Sequence, residues 1–138
     1  MRPDSYTQRL NVFKRFVRDL STLSKCTERQ VAAVITDKDM TQVYSIGLNG
    51  GPVGLADCMC NIDGKYGCIH AEINALIKCN NTSPEKIMFV TLSPCKQCAA
   101  AIINAQGGFS TVYYLEAWKD NTGIKLLEAA GIKVIHLQ

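Results

Sequence analysis

The spacing of apolar residues predicts an amphipathic helix at the start of the chain. Apolar side chains recur in steps of four and three residues, which keeps them on one helical face. These residues are Tyr6, Leu10, Phe13, Val17 and Leu20. A polar loop over 24–29 ends this segment, and the apolar run over 31–35 predicts a buried strand. The charged residues of 37–39 then predict a turn into a second strand over 41–48.

The rest of the chain alternates between helix and strand patterns. A Gly- and Cys-rich stretch over 49–69 has no periodicity, and loops longer than about 12–15 residues are usually functional. Drawn as a helix, the segment 70–79 has apolar residues around most of its circumference, which predicts a helix sandwiched in the core. The remaining predicted elements are a strand over 87–92, a helix over 95–105, a strand over 111–115, a helix over 123–130 and a strand over 132–137.

This order of elements predicts a single α/β domain over residues 1–138. Alternation in the second half implies parallel pairing, whereas the short turn at 37–40 implies an antiparallel start. We therefore expect a three-layer α/β/α fold, with a five-stranded mixed sheet and helices on both faces. The hydrophobic fraction of 47% and the charged fraction of 20% are those of a globular protein.

Composition and charge exclude several classes of function. No apolar stretch approaches the roughly 20 residues of a bilayer span, so we expect no membrane association. The first five residues lack the features of a secretory signal, which favours a cytoplasmic location, or the host-cell cytoplasm for a viral protein. The net charge of +3 suits an anionic small molecule, but it is too weak and dispersed for stable binding of nucleic acid.

Cysteine is the most unusual component of the sequence. The seven cysteines are Cys26, Cys58, Cys60, Cys68, Cys79, Cys95 and Cys98. An odd number without an export signal argues against a disulfide framework. In a reducing compartment, such cysteines indicate metal binding or catalysis.

Two short motifs carry the candidate chemistry. A His-Ala-Glu sequence begins at His70 and a Pro-Cys-Lys-Gln-Cys sequence begins at Pro94, each at a predicted helix start, with Ser93 as the expected N-cap of the second helix. Cys95 and Cys98 are three residues apart, so their sulfurs share one face of the first turn. Together with His70 they offer three ligands to tetrahedral Zn²⁺ and leave the fourth position for water, which is typical of a catalytic site.

Glu72 is the candidate general acid and base. Two thiolates cancel the charge of the zinc, so we expect its water to be acidified less than in an all-histidine site, and a nearby proton acceptor becomes necessary. Glu72 lies two residues beyond His70, within the first helical turn, where both side chains can reach past the helix end. Alone, the Cys-x-x-Cys motif is also compatible with a redox dithiol or a structural half-site. Combined, the two motifs form the signature of zinc nucleobase deaminases.

From about Ser24 to Val134 the sequence resembles the cytidine and deoxycytidylate deaminase superfamily, most closely the deoxycytidylate (dCMP) deaminases of phages and eukaryotes. Besides the two motifs, the matching segments are 24–26, 31–35 and the Asn-Gly-x-Pro-x-Gly loop within 47–54. The resemblance implies a cytidine deaminase-like fold and zinc-dependent hydrolysis of dCMP to dUMP and ammonia, which supplies dUMP for thymidylate synthesis. It also implies a homo-oligomer, frequently a hexamer, activated by dCTP with Mg²⁺ and inhibited by dTTP.

The resemblance also assigns roles to individual residues. Zinc is held by His70, Cys95 and Cys98, while Glu72 moves protons between the attacking water, N3 of the base and the departing amine. The expected substrate contacts are Asn49 on the sugar hydroxyl, Ala71, and phosphate donors among Ser24, Lys25, Arg29 and Tyr114. Arg29 is favoured because a guanidinium pairs with phosphate in a bidentate manner. The alternatives are a turn role for Asn49 and solvated surface positions for the phosphate donors.

Two further sites follow from the same resemblance. The loop with Gly47, Asn49 and Gly50 is the expected allosteric nucleotide site, although Leu48 stands where the family commonly has tyrosine. A second, structural zinc would use cysteines outside the two motifs. Its candidate ligands are Cys26, Cys58, Cys60 and Cys68. The alternative for these four is free thiols packed as small hydrophobes, which is also the role expected of Cys79.

Two rival functions remain open at this point. The first is a related deaminase that acts on cytidine, guanine or a tRNA adenosine. The second is a catalytically silent, zinc-stabilised nucleotide sensor, which would keep the metal ligands but have no need for Glu72.

Overall fold

The computed structural model describes residues 3–60 and 67–138, with backbone only at 3 and 4, so residues 1 and 2 and part of the predicted 49–69 loop lie outside the described residues. The described elements are α1 (Pro3–Ser21), β1 (Ala32–Thr36), β2 (Val43–Leu48), α2 (Ala71–Lys78), β3 (Lys86–Leu92), α3 (Lys96–Asn104), β4 (Phe109–Glu116), α4 (Thr122–Ala129) and β5 (Lys133–His136). No helix in these two ranges has the length and apolar character that crossing a membrane requires.

The five strands form one mixed sheet in the order β2-β1-β3-β4-β5. Strand β1 pairs antiparallel with both β2 and β3, whereas β4 pairs parallel with both β3 and β5. The parallel pairs need crossover connections, and α3 and α4 supply them. The predicted α/β fold, with its antiparallel start and parallel second half, is confirmed.

Helices cover both faces of this sheet. On one face, α2, α3 and α4 bury side chains such as Ala75, Ile102 and Leu127 against the sheet. On the other face, α1 is the helix of the described residues that packs on the sheet, and Phe13 stacks on Phe89 with ring centroids 5.3 Å apart. All five residues of β1 are buried because this strand is covered on both faces. The three-layer arrangement places the amino ends of α2 and α3 at one edge of the sheet.

Helix α2 differs from its prediction as a helix sandwiched in the core. Only Ala71, Glu72 and Ala75 are buried, and Ile77 is 69% exposed. The reason is that α2 lies over the edge strand β2 and its neighbour β1, so only one of its faces meets the sheet. An apolar sequence therefore leaves part of its surface open to solvent here.

Gly47 allows α2 to lie directly on the backbone of β2. A Cβ atom at this position would lie 2.1 Å from the carbonyl oxygen of Ala71 and 2.4 Å from the amide nitrogen of Ala75. Two side chains then fix the contact, because Ser45 Oγ donates to the carbonyl of Ala75 and Asn74 Nδ2 donates to that of Leu48. The close approach determines where the first turn of α2 lies.

Substituting Gly47 by alanine should therefore destabilise the fold through steric overlap with backbone atoms. We expect the free energy of unfolding to fall by at least about 2–3 kcal/mol, since the overlap involves backbone that has no room to move. Gly131→Ala is the matched control, because Gly131 has a positive φ of 85° but nothing within 4 Å of the added Cβ, and it should cost only about 1 kcal/mol. Urea denaturation measures both, and equal losses would contradict the overlap.

Candidate active site

Three ligand side chains converge where α2 and α3 begin. His70 is the N-cap of α2, and its Nδ1 lies 3.2 Å from Cys98 Sγ and 3.6 Å from Cys95 Sγ. Cys95 is the N-cap of α3, and its Sγ accepts a hydrogen bond from the amide of Cys98. The expectation that Ser93 caps this helix is therefore wrong. The hydroxyl of Ser93 accepts from the amide of Trp118 instead.

This donor set fits a zinc ion. With zinc–nitrogen bonds of about 2.0 Å and zinc–sulfur bonds of about 2.3 Å, a tetrahedral site separates nitrogen from sulfur by about 3.5 Å, and the measured distances of 3.2 Å and 3.6 Å lie on either side of this value. The helix amino ends carry positive partial charge. Burial raises the pKa of the Cys98 thiol, so the charge of a bound metal would be needed to hold this sulfur as a thiolate. Within the part of the chain that the structure describes, this group contains three ligands and no fourth. One coordination position therefore remains for a small molecule.

Glu72 lies buried beside this group of ligands. Its side chain is 4% exposed, and burial raises the pKa of the carboxyl to about 7. No cationic side chain of the described residues forms an ion pair with it. A carboxyl group in such surroundings can exchange protons with a reacting molecule instead of being held by a salt bridge.

A cavity of about 610 Å³ opens next to these side chains. His70, Glu72 and Cys95 line one part of it, and Arg29, Asn49 and Trp118 line another. Its volume is within the range of about 300–1,000 Å³ that is usual for small-molecule sites. The metal ligands and the buried carboxyl therefore face a space that is large enough for a small organic substrate.

Asn49 lies on the wall of the cavity, where it organises the loop that precedes β1. Its Oδ1 accepts from Ser24 Oγ (2.6 Å) and from the amide of Val31 (2.8 Å). Its Nδ2 donates to the carbonyl of Arg29 at 2.6 Å. No hydrogen bond to a described residue uses the second amide hydrogen of Asn49, so this hydrogen remains for a ligand. From sequence, Asn49 was expected to contact the sugar hydroxyl or to act as a turn residue. Neither expectation includes these hydrogen bonds to the loop before β1.

The structure does not bring all the expected substrate residues to the cavity. Arg29 and Ala71 line it together with Asn49, whereas Ser24 is buried and bonded to Asn49. Lys25 is exposed and lies 3.6 Å from Asp57. Tyr114 stacks on His136, with ring centroids 4.9 Å apart. Among the expected phosphate donors, Arg29 alone is on the cavity wall.

Two residues of the wall and its support were missed by sequence reasoning. Trp118 lines the cavity, and a Cβ on Gly123 would lie 2.0 Å from the carbonyl oxygen of Pro94. Gly123 therefore lets the start of α4 pack against the turn that carries Cys95. A signal was available, because parallel strands β3 and β4 end at the same sheet edge, where α/β proteins bind ligands.

The four cysteines outside the two motifs form a second group, called here the thiol cluster: Cys26, Cys58, Cys60 and Cys68. Five sulfur–sulfur distances within it lie between 3.5 and 3.9 Å. These are too long for disulfides, whose sulfurs are about 2.05 Å apart. All four ligand atoms lie within 4.8 Å of one another, so the cluster can surround a single cation.

Fold and site together define an α/β/α protein with three convergent side chains that could hold a metal ion. The sequence model of the cytidine and deoxycytidylate deaminase zinc-binding region matches residues 7–116. The chain belongs to the cytidine and deoxycytidylate deaminase family.

Curated relatives and solved structures agree with this assignment. A probable deoxycytidylate deaminase of Caenorhabditis elegans is 37% identical over 112 residues, covering 75% of this chain and 55% of the relative. ComE operon protein 2 of Bacillus subtilis is 37% identical over 123 residues, covering 83% and 64%. The chain thus spans somewhat over half the length of these two relatives. The dCMP deaminase of cyanophage S-TIM5, solved with dCMP and dUMP, is 25% identical, with a TM-score of 0.84 over 99% of both chains.

Proposed function

We propose that this chain is a zinc-dependent hydrolase that converts dCMP to dUMP and ammonia. The observation that carries the proposal is a buried carboxyl, Glu72, beside three convergent metal ligands on one cavity wall. The names of the relatives and the ligands of the cyanophage structure support dCMP as the substrate.

In this proposal His70, Cys95 and Cys98 would hold the zinc, which supplies a Lewis acid that makes water nucleophilic at neutral pH. Glu72 accepts a proton from the attacking water and delivers a proton to N3 of the cytosine ring. Once the oxygen is bonded to C4, Glu72 takes the second proton of the water from that oxygen and passes it to the amino group. Oxygen bonds to C4, the bond from C4 to the amino nitrogen breaks, and ammonia leaves. Burial of Glu72 supports this role, because bulk water does not compete for its protons.

The remaining cavity residues bind the nucleotide in this proposal. The free amide hydrogen of Asn49 donates to the sugar hydroxyl, and the backbone of Ala71 contacts the base. Arg29 binds the 5′-phosphate, since its guanidinium has no carboxylate partner among the residues described. A guanidinium offers paired donors that match the geometry of a phosphate group.

The thiol cluster would hold a second zinc. Four thiolates at about 2.3 Å from a tetrahedral ion lie about 3.8 Å apart, and the measured distances of 3.5–3.9 Å scatter around this value. Four protein ligands leave no open position, so the site is structural. It would join the loop before β1 to the segment that leads into α2, because Cys68 lies two residues before His70.

Regulation and assembly complete the proposal. Gly50 pairs through its backbone with Ile69, next to the metal ligand His70. Of the expected nucleotide loop, Gly47 lies within β2 and only Asn49 and Gly50 lie in the segment after it. A triphosphate bound with Mg²⁺ at this segment would act on the catalytic site by this route, with dCTP as activator and dTTP as inhibitor. Exposed apolar residues, among them Leu55, support assembly into a hexamer. The free thiols support a reducing, cytoplasmic compartment, where the product dUMP would supply thymidylate synthesis.

Glu72→Gln should abolish deamination without removing the metal. The amide keeps the size of the side chain but cannot accept a proton, so we expect a loss of about 10²–10⁴-fold in kcat for dCMP. Ammonia release measures the rate, and Glu85→Gln, in an exposed ion pair with Lys38, is the control. Undiminished ammonia release by Glu72→Gln would overturn the acid and base role. Faster turnover of deoxycytidine, cytidine, guanine or a tRNA adenosine by the unsubstituted protein would overturn the substrate.

The two metal sites should be separable by cysteine substitution. We expect about two zinc ions per chain by elemental analysis, about one in Cys98→Ser and about one in Cys60→Ser, because each change removes a ligand from one group only. Cys79→Ser is the matched control, since Cys79 packs beside the core outside both groups. One zinc per chain, lost only in Cys98→Ser, would refute the structural site.

Feedback control predicts opposite effects of two nucleotides. With Mg²⁺ present and dCMP below saturation, dCTP should raise and dTTP should lower the rate of dCMP deamination, because each ligand shifts the loop that contacts Ile69. The control is Mg²⁺ without triphosphate. A rate that neither nucleotide changes would rule out this regulation. The test is informative because Leu48 stands where the family commonly has tyrosine.

A further inference from the structure

Trp118 and Arg29 meet at the cavity wall from two separate loops. Arg29 precedes β1 and Trp118 follows β4, and the guanidinium carbon of Arg29 lies 5.6 Å from the centroid of the Trp118 ring. Both side chains line the cavity that contains His70 and Glu72. Trp118 is the only tryptophan of the sequence and is 42% exposed. An exposed aromatic ring on a cavity wall calls for a functional explanation.

Hydrogen bonds fix the backbone of both residues relative to the metal ligands. The amide of Trp118 donates to Ser93 Oγ at 2.7 Å, and Ser93 is buried two residues before Cys95. The carbonyl of Arg29 accepts from Asn49 Nδ2 at 2.6 Å. The backbones are therefore anchored independently, and what remains to be fixed is the direction of the long Arg29 side chain.

The contact with Trp118 orients Arg29 without occupying its hydrogen-bond donors. A cation is attracted to the face of an indole ring, which offers no lone pair to the N–H groups. No hydrogen bond or salt bridge from the guanidinium to another described residue competes with this contact. Of the carboxylates on the wall, Asp120 accepts from the amide and hydroxyl of Thr122. Arg29 is thus held in place with its donors available to an anion.

We propose that Trp118 is a positioning residue for Arg29, and that the pair makes the site prefer nucleotides with a 5′-phosphate over nucleosides. This inference rests on the deaminase function proposed above. Without the ring, the flexible Arg29 side chain must be ordered when the phosphate binds, which weakens binding of the phosphorylated substrate. The loss falls on KM for dCMP, since neither residue takes part in proton transfer at the base.

The test compares kcat/KM for dCMP and for deoxycytidine in the unsubstituted protein and in Trp118→Leu, Trp118→Phe, Arg29→Ala and the double variant Trp118→Leu/Arg29→Ala. We expect Trp118→Leu to reduce the preference for dCMP about 3–10-fold through a higher KM. The separate variant Trp118→Phe should retain most of the preference. Arg29→Ala should reduce the preference further, and adding Trp118→Leu to it should change nothing more. An equal loss for both substrates in Trp118→Leu, or a further loss in the double variant, would overturn the inference.

A second measurement does not depend on turnover. Because Trp118 is the only tryptophan, fluorescence of the Glu72→Gln variant, excited where tryptophan absorbs and tyrosine does not, reports on this residue. Titration with dCMP should change the emission at lower concentration than titration with deoxycytidine, and Arg29→Ala should remove this difference. Emission that dCMP leaves unchanged would refute the pairing. If the variant shows the fluorescence response but the unsubstituted protein releases no ammonia from dCMP, the deaminase function is refuted and the phosphate site is left standing.

Discussion

The site depends on two helices that begin at the same point in space. The N-cap residue of each helix could bind the metal. Each helix start also packs against backbone that carries no side chain at the contact, at Gly47 beneath α2 and at Gly123 beside the Pro94 turn. An added Cβ at either glycine would lie about 2 Å from a carbonyl oxygen. The nitrogen and sulfur atoms therefore converge because these close backbone contacts fix where the two helices begin. The same backbone contacts therefore hold the helices on the sheet and bring the metal-binding side chains together.

Much of this arrangement follows from the sequence. Apolar periodicity predicted each helix and strand near its observed position, and the order of elements predicted the mixed sheet. The motifs with His70, Cys95 and Cys98 predicted side chains that the structure brings together, because the first turn of a helix fixes where such residues point. Local spacing is the information that a sequence carries most directly.

The remaining features depend on contacts between residues far apart in the chain. The amide of Asn49 bonds to residues 18 to 25 positions away, and such a tether leaves no local pattern. For the same reason, the sequence suggested Ser24 as a phosphate donor, whereas the structure buries it and bonds it to Asn49. Helix α2 was expected to be enclosed because periodicity does not reveal that a helix lies over an edge strand. The cap at Cys95 was missed because Ser93 is the commoner capping residue, and its hydroxyl is used by the loop of Trp118.

Anomalous diffraction at the zinc absorption edge, from crystals of the purified protein, tests the central claim most directly. The account predicts an ion about 2.0–2.4 Å from His70 Nδ1 and from the sulfurs of Cys95 and Cys98, with no fourth ligand from the protein. An absence of anomalous density among these three atoms, or an ion there closed by four protein ligands, would contradict it.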